Sequence, residues 1–353
     1  MFDVAVVGGG PAGATCAAFC ASAGLRVVLL EREMFPREKV CGDCLNPSCW
    51  PVLGQLDVTE RVRALPHGRL ERVEFIAIGG RTVSVDLPEG AEIAVKRSLF
   101  DQVLMARAAE TGAEVRQMTT VRQIMIERDA WQIVANDETL HARVIIAADG
   151  RNSTVARRIG ALPSASKERV GLQTHIPLPS DFGDRVVLQF LPEGYSGQAP
   201  VGDGQLNVCL VAKPPQLDAL KSWAAERFGI AQDHTWRTIT PLRRDPVTPA
   251  YGRLLFVGDA ARVVEPFTGE GIYYALRSGE LAADAAIALT RGGDERAAGA
   301  TYAAAHEQLY RGRLWVNRIA RTAVLSPRAT SLLLRAAVIH PALLRALTAK
   351  IVR

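Results

Sequence analysis

The chain has 353 residues, 48% hydrophobic and 22% charged, with a formal net charge of +5, which suffices for a full core in two interleaved lobes. Six cysteines in this length exclude the disulfide framework of a secreted scaffold. The apolar run Val4 to Val7 is too short for a leader or spanning helix, and Arg335, His340 and Arg345 break the C-terminal apolar stretch, so a cytoplasmic location is expected.

The first element is a strand over Val4 to Val7, followed at once by Gly8-Gly9-Gly10-Pro11-Ala12-Gly13 and an alanine-rich helix to Ala23. In such a strand–turn–helix, Gly8 permits the tight turn, Gly10 lets backbone N–H groups reach a pyrophosphate, and Gly13 brings the helix close to the strand. Gly24 closes the helix, Val27 to Leu30 makes the next strand, and Glu31 at its end is placed to accept ribose hydroxyls. The pattern signals dinucleotide binding without separating a nicotinamide from a flavin. Cys41 and Cys44 form a C-x-x-C pair, open to zinc, to dithiol chemistry or to simple burial beside a cofactor; no second pair with metal spacing accompanies them.

A helix is predicted over Arg97 to Ala109, and a β-branched strand from Val144 ends at Asp149-Gly150. Val186 to Phe190 and Leu206 to Ala212 read as strands joined across Gly194, Gly197, Pro200, Gly202 and Gly204. His175, on a further predicted strand, is the one histidine near this sheet with a possible site role, against a structural one. Another strand, Leu254 to Val257, ends at Gly258-Asp259. After Glu307 the last 46 residues hold nine arginines and lysines and no acid, so the other 307 residues sum to −4. Leucines and alanines between Ser331 and Val352 recur at helical spacing, which suits packing on the protein's own body or adsorption to an anionic membrane surface. Nucleic-acid binding is not expected, because no recognised module or interleaved aromatics accompany the charge.

Two later segments carry a resemblance. Val144-Ile-Ile-Ala-Ala-Asp149-Gly150-Arg-Asn-Ser153 resembles the Asp-Gly motif of the p-hydroxybenzoate hydroxylase-like flavoproteins. Leu254-Leu-Phe-Val-Gly258-Asp259-Ala-Ala261 with Pro266-Phe-Thr-Gly269-Glu270-Gly271 resembles their second flavin motif. Within that superfamily, Phe35-Pro36-Arg37-Glu38-Lys39-Val40-Cys41-Gly42 is similar to a segment of the geranylgeranyl reductase-like branch. The resemblance implies FAD, with Asp259 on the ribityl chain, backbone near Gly269 to Ile272 facing the ring, and Arg97 against the cofactor. Arg37 and Lys39 would add positive charge near the cofactor or an incoming nicotinamide. Where the reductases carry Tyr-x-Trp-x-Phe-Pro, this chain has Tyr195-Ser-Gly197-Gln-Ala199-Pro200, which removes two bulky walls. The halogenase signature Trp-x-Trp-x-Ile-Pro is absent.

These readings give an α/β fold: a Rossmann-type FAD-binding domain from residues 1–160 and 251–295, with a sheet contribution from 71–96. An inserted mixed or antiparallel substrate-binding sheet over 161–250 and a helical C-terminal region over 296–353 complete it. Cofactor contacts are expected at Gly8, Gly10, Pro11, Ala12, Gly13, Glu31, Arg32, Arg37, Cys41, Gly42, Arg97, Asp149, Gly258, Asp259, Pro266, Gly269, Gly271 and Ile272. Glu270, Cys41 and Tyr195 are the candidates for chemistry, Glu270 also reading as a solvated loop acid; no metal is expected. The favoured activity is an NAD(P)H-dependent monooxygenase acting on a lipophilic aromatic, quinone or polyketide-like molecule, with NADPH or NADH as donor. The alternatives are a flavin-dependent ene-reductase of isoprenoid double bonds and a non-catalytic flavin-binding partner protein.

Overall fold

The computed structural model describes residues 1–127, 129–166, 169–231, 233–264 and 269–311. Strand β1 (Phe2–Val7) is buried from Val4 onward and pairs in parallel with β2 (Val27–Leu30) on one side and with Glu138–Ala147 on the other. Apolar runs buried on both faces are what a parallel sheet covered by helices requires. Among the described residues this sheet has eight strands. Its main path runs Ala250–Tyr251, Leu254–Phe256, Glu138–Ala147, β1, β2 and Glu114–Arg116, with the antiparallel Ala130–Ala135 and Val121–Glu127 attached.

Helix α1 (Pro11–Ser22) follows β1 as expected and packs against the helices Arg97–Glu110 and Gly271–Thr290. The second contact is close because Gly279 has no side chain: a Cβ there would lie 2.3 Å from the Ala12 carbonyl oxygen. Past α1 the chain reverses at Gly24, whose φ of 84° suits glycine.

A second sheet has seven strands among the described residues, in the order Arg237–Ile239, Val170–Pro177, Gln205–Ala212, Gly194–Pro200, Arg185–Leu191, Arg72–Ile76, Thr82–Asp86. Two sequence expectations are corrected by it. Gly194–Pro200, expected as a glycine-rich connection, is an interior strand hydrogen-bonded to Arg185–Leu191 and Gln205–Ala212. Its glycine serves close backbone approach, since a Cβ on Gly194 would sit 2.1 Å from the Val211 oxygen. The 71–96 segment, expected as a sheet contribution to the FAD-binding domain, for the most part extends the second sheet: Arg72–Ile76 pairs in parallel with Arg185–Leu191 and turns back through Gly79-Gly80. The end of that segment, Ile93–Ala94, joins Cys44–Leu45 and Gly68–Arg69 in a small three-stranded sheet.

Helices Gly271–Thr290 and Glu295–Tyr310 cover the first sheet's end. The basic stretch with its expected helix between Ser331 and Val352 lies outside the described residues, as does Pro266. No described helix is long and apolar enough to cross a membrane.

Candidate functional site

Residues from both large sheets line one cavity of about 720 Å³, a size typical of ligand pockets. At one end stands the glycine turn. A Cβ on Gly8, where φ is 106°, would lie 2.4 Å from the Ala148 oxygen, and one on Gly13 would lie 1.9 Å from the Gly8 oxygen. Both positions therefore hold strand and helix together. Gly10 differs: the nearest atom to its notional Cβ is Arg37 Nη2, at 3.6 Å. Gly10 is also the N-cap of α1, with no side-chain cap and no acid in the first turn, so the positive end of the helix is open to an anion.

Arg37 and Arg97 share one buried carboxylate. Arg97 makes two 2.7 Å hydrogen bonds to Asp101, and Arg37 Nη1 lies 3.1 Å from the same group, which is fully buried. Two guanidiniums against one carboxylate leave a net positive charge beside the glycine turn. Lys39 lines the same cavity, and enclosure together with the cationic Arg151 holds its ammonium down at about 8.

The acidic positions are already engaged by the protein. Glu31 accepts from the Gly9 N–H at 2.6 Å and the Glu33 N–H at 2.9 Å, which fixes its carboxylate at the cavity wall. Asp149 Oδ2 accepts from the Thr154 and Val155 N–H groups at 2.6 and 3.0 Å, while its buried Oδ1 finds no partner among the described residues. Asp259 accepts from Arg151 Nη2 at 2.6 Å. Gly258, next to it, donates its N–H to Ser278 Oγ at 2.9 Å, so the Gly271–Thr290 helix positions this strand end.

The register of the second sheet explains its cavity wall. Phe75, Leu188, Gly197 and Cys209 are successive cross-strand partners in one row, and all four line the cavity. Next to Cys209 in that row is Gln173, and His175 pairs with Asn207 one row on. On these polar positions the Cys41–Cys44 loop is docked. The Cys41 carbonyl accepts from Gln173 Nε2 at 2.8 Å, from Asn207 Nδ2 at 2.9 Å and from the Cys209 thiol at 3.3 Å. Asp43, completely buried with φ 62°, accepts from Asn207 at 2.8 Å and lies 2.9 Å from His175 Nε2. Burial raises the Asp43 carboxyl, with His175 pulling the other way. Burial also raises the Cys41, Cys44 and Cys209 thiols, which keeps them protonated rather than nucleophilic.

Of the expected positions, Gly8, Gly10, Pro11, Ala12, Glu31, Arg32, Arg37, Cys41, Gly42, Arg97, Asp149, Gly258, Asp259, Gly269, Gly271 and Ile272 line this cavity, as does Tyr195. Gly13 and Glu270 do not. Gly13 is spent on packing, and Glu270, 2% exposed, is the N-cap of the Gly271–Thr290 helix rather than a solvated loop acid. Sequence reasoning missed Asp43, Gln173, Asn207, Asp101 and Ser278. A signal existed for Asn207 alone, a polar residue inside the apolar run Leu206 to Ala212.

The chain matches a family model described as FAD binding domain over residues 1–180. It is similar to digeranylgeranylglycerophospholipid reductase 2 of Methanopyrus kandleri, 31% identical over 81% of this chain and 76% of that protein. Conditioned medium factor receptor 1 of Dictyostelium discoideum is 28% identical over 81% of this chain, which spans 63% of its length. A geranylgeranyl bacteriochlorophyll reductase-like protein from Thermoplasma acidophilum shares the fold, with a TM-score of 0.79 at 24% identity over 92% of this chain and 87% of the other.

Proposed function

The chain belongs to the FAD binding domain family of flavin-dependent oxidoreductases, in its geranylgeranyl reductase-like branch, and on that premise we propose that it saturates isoprenoid double bonds of a lipophilic substrate. The observation that carries the reading is the docking of the Cys41–Cys44 loop. The segment that resembles the reductase branch leads directly into a loop locked by Gln173, Asn207 and His175 onto the substrate-facing sheet. A relative whose name states reduction of a digeranylgeranyl lipid supports it.

Bound FAD supplies the two-electron chemistry, and NADPH or NADH is the proposed donor. The protein's part is to bind, orient and exclude water. Gly10 and the first turn of α1 would hold the pyrophosphate, with Arg37 and Arg97 balancing its charge and Glu31 taking the ribose hydroxyls. Gly42 and the Gly269–Ile272 backbone would flank the ring, while Phe75, Leu188 and Tyr195 offer an apolar wall to the substrate. The neutral Cys41 thiol lines this wall and is not given a nucleophilic role.

A second reading, hydroxylation of a lipophilic aromatic, quinone or polyketide-like molecule, is favoured by Gly197 and Ala199, which leave the wall without the bulk the reductases have there. One experiment separates the two. Enzyme kept reduced without oxygen and given a geranylgeranyl lipid is expected to return product heavier by the hydrogen added to each double bond. Substrate-dependent oxygen consumption with oxygenated product, and no saturated product under anaerobic conditions, would overturn the reductase reading in favour of the second.

A further inference from the structure

In the small three-stranded sheet Cys44 pairs with Ala94 and Leu45 with Ile93. Leu45 and Ile93 point into the main core, so strand alternation turns Glu92 and Ala94 to the opposite face, the one that carries Cys44. Ala94 packs there with Cys44, Val73, Val186 and Ala199. Cys44, Val73, Val186 and Ala199 line the cavity, and so does Glu92. The patch adjoins the second flavin motif, because a Cβ on Gly269 would lie 4.0 Å from the Cys44 Cβ. Trp50 donates its ring N–H to the Ala91 carbonyl at 2.9 Å, which fixes the backbone from which Glu92 projects.

Glu92 is half-buried in this wall and has no hydrogen bond or ion pair among the described residues. The cations of the cavity gather elsewhere: Arg37 and Arg97 on Asp101, Arg151 on Asp259, and Lys39 close to Arg37, Arg97, Arg151 and Asp259. None of them acts on the Glu92 carboxyl, which burial alone perturbs. An acid set among apolar walls with no counterion is costly to ionise. The cation that would offset this cost has to come from the contents of the cavity.

We propose that Glu92 is the counterion subsite for a protonated amine on the substrate, its carboxylate accepting from the ammonium while Cys44, Val73, Val186 and Ala199 surround the adjoining carbon chain. The inference rests on the reductase reading for the chain and goes beyond it for the head. An alcohol in the same place gains one hydrogen bond and leaves the carboxylate without a counterion, and an anionic head is repelled by it.

Burial raises the Glu92 carboxyl to about 7. The titratable groups beside it are the Cys44 and Cys49 thiols, both raised by burial and so neutral through this range, and an alkylammonium keeps its proton to about pH 10. Affinity for an amine head therefore climbs by up to about tenfold per pH unit as the carboxylate forms towards pH 7, and levels off above it.

The test is binding to oxidised, FAD-loaded protein, where no turnover intervenes. Geranylgeranylamine, geranylgeraniol and geranylgeranoic acid share one chain and differ only at the head; each is titrated from about pH 5 to about pH 8 by calorimetry and by perturbation of flavin absorbance. Above pH 7 the amine is expected to bind about tenfold or more tighter than the alcohol, and the acid more weakly than either. The amine's affinity should rise with pH up to about 7 while the alcohol's stays level. Glu92→Gln keeps the side chain's shape, so it should retain the alcohol's affinity while losing both the amine's advantage and its pH dependence. Equal affinity of amine and alcohol in the wild type, tighter binding of the acid than of the amine, or an amine advantage that survives Glu92→Gln would overturn the subsite; the first two are read on the wild type and stand whether or not the variant folds. Amine-selective binding without saturation of any chain would leave the subsite in place and sink the reductase reading, and saturation with no preference among the heads would do the reverse.

Discussion

Gly10 and Gly13 lie three residues apart in one turn, yet their surroundings demand opposite outcomes from the same substitution. Alanine at 13 drives a methyl to 1.9 Å from the Gly8 oxygen, so strand and helix must separate, at a cost of about 1–3 kcal/mol or more. Alanine at 10 meets nothing closer than an arginine nitrogen at 3.6 Å, and the fold should be indifferent to it. Gly10→Ala is therefore expected to melt near the wild-type temperature while purifying with far less flavin, and Gly13→Ala to lose thermal stability. Absorbance ratios and melting curves of the two read this directly, and a Gly10→Ala protein that stays fully yellow would contradict the pyrophosphate placement. Asp101 makes a second test at this scale. Neutralising it as Asp101→Asn leaves Arg37 and Arg97 facing each other without their shared carboxylate, and a loss of about 3–5 kcal/mol in urea unfolding is expected. The glycines were legible in the sequence because their role is to lack a side chain within a local pattern. Asp101 and Asp43 were not, since each acquires its partners only when distant segments meet: Asp43 reaches Asn207 and His175 across 164 and 132 positions.

Among the elements, helix Glu295–Tyr310 shows how a cover is attached to a sheet. Tyr302 donates its hydroxyl to the Phe256 carbonyl at 2.6 Å, and Tyr310 stacks on Tyr274 at 4.6 Å with the Arg262 guanidinium 4.8 Å from its ring centre. His306 is buried between the two tyrosines, and desolvation, aided by the nearby Arg262 charge, lowers it from 6.5 to about 4. The folded state thus holds a neutral imidazole that the unfolded chain would protonate below about 6.5. Its contribution is complete above that pH and is lost as pH falls through about 4, amounting at most to about 3 kcal/mol. Melting temperatures measured between pH 7 and pH 4 should fall less steeply in His306→Leu than in the wild type; parallel curves would show that the helix does not sense this proton. Elements were read from the sequence where a continuous apolar run or a helical period announced them, as for β1, α1 and β2. Gly194–Pro200 escaped because its glycine content spells a loop until Val211 is known to lie against it, and the sheet that holds Arg72–Ile76 was not legible, although sheet was expected over 71–96, because its partner Arg185–Leu191 is remote in sequence.

For the molecule as a whole, the decisive relation is between the two large sheets, since the proposed cofactor end of the cavity belongs to the first and the proposed substrate wall to the second. Gly197 occupies the middle of the row that runs from Phe75 to Cys209, and it is there that the reductase branch carries tryptophan. A side chain can start at this position without disturbing the fold: its Cβ would meet Leu188 Cδ2 at 3.7 Å and the Cys209 Cβ at 4.0 Å, both ordinary contacts. Because Leu188, Gly197 and Cys209 all face the cavity, the remainder of a larger side chain has only that space to enter. The glycine turn and the Arg37–Asp101–Arg97 group lie on the other sheet's side and should not register the change. Gly197→Trp is accordingly expected to keep its flavin and its melting temperature while losing about tenfold or more in affinity for ring-bearing substrates, with slender prenyl chains affected less. Flavin retention and substrate affinity measured on the same preparation separate the two ends. Loss of both together would mean that the sheets do not divide the work in this way, and loss of neither would mean that substrate does not lie along the Phe75–Cys209 row.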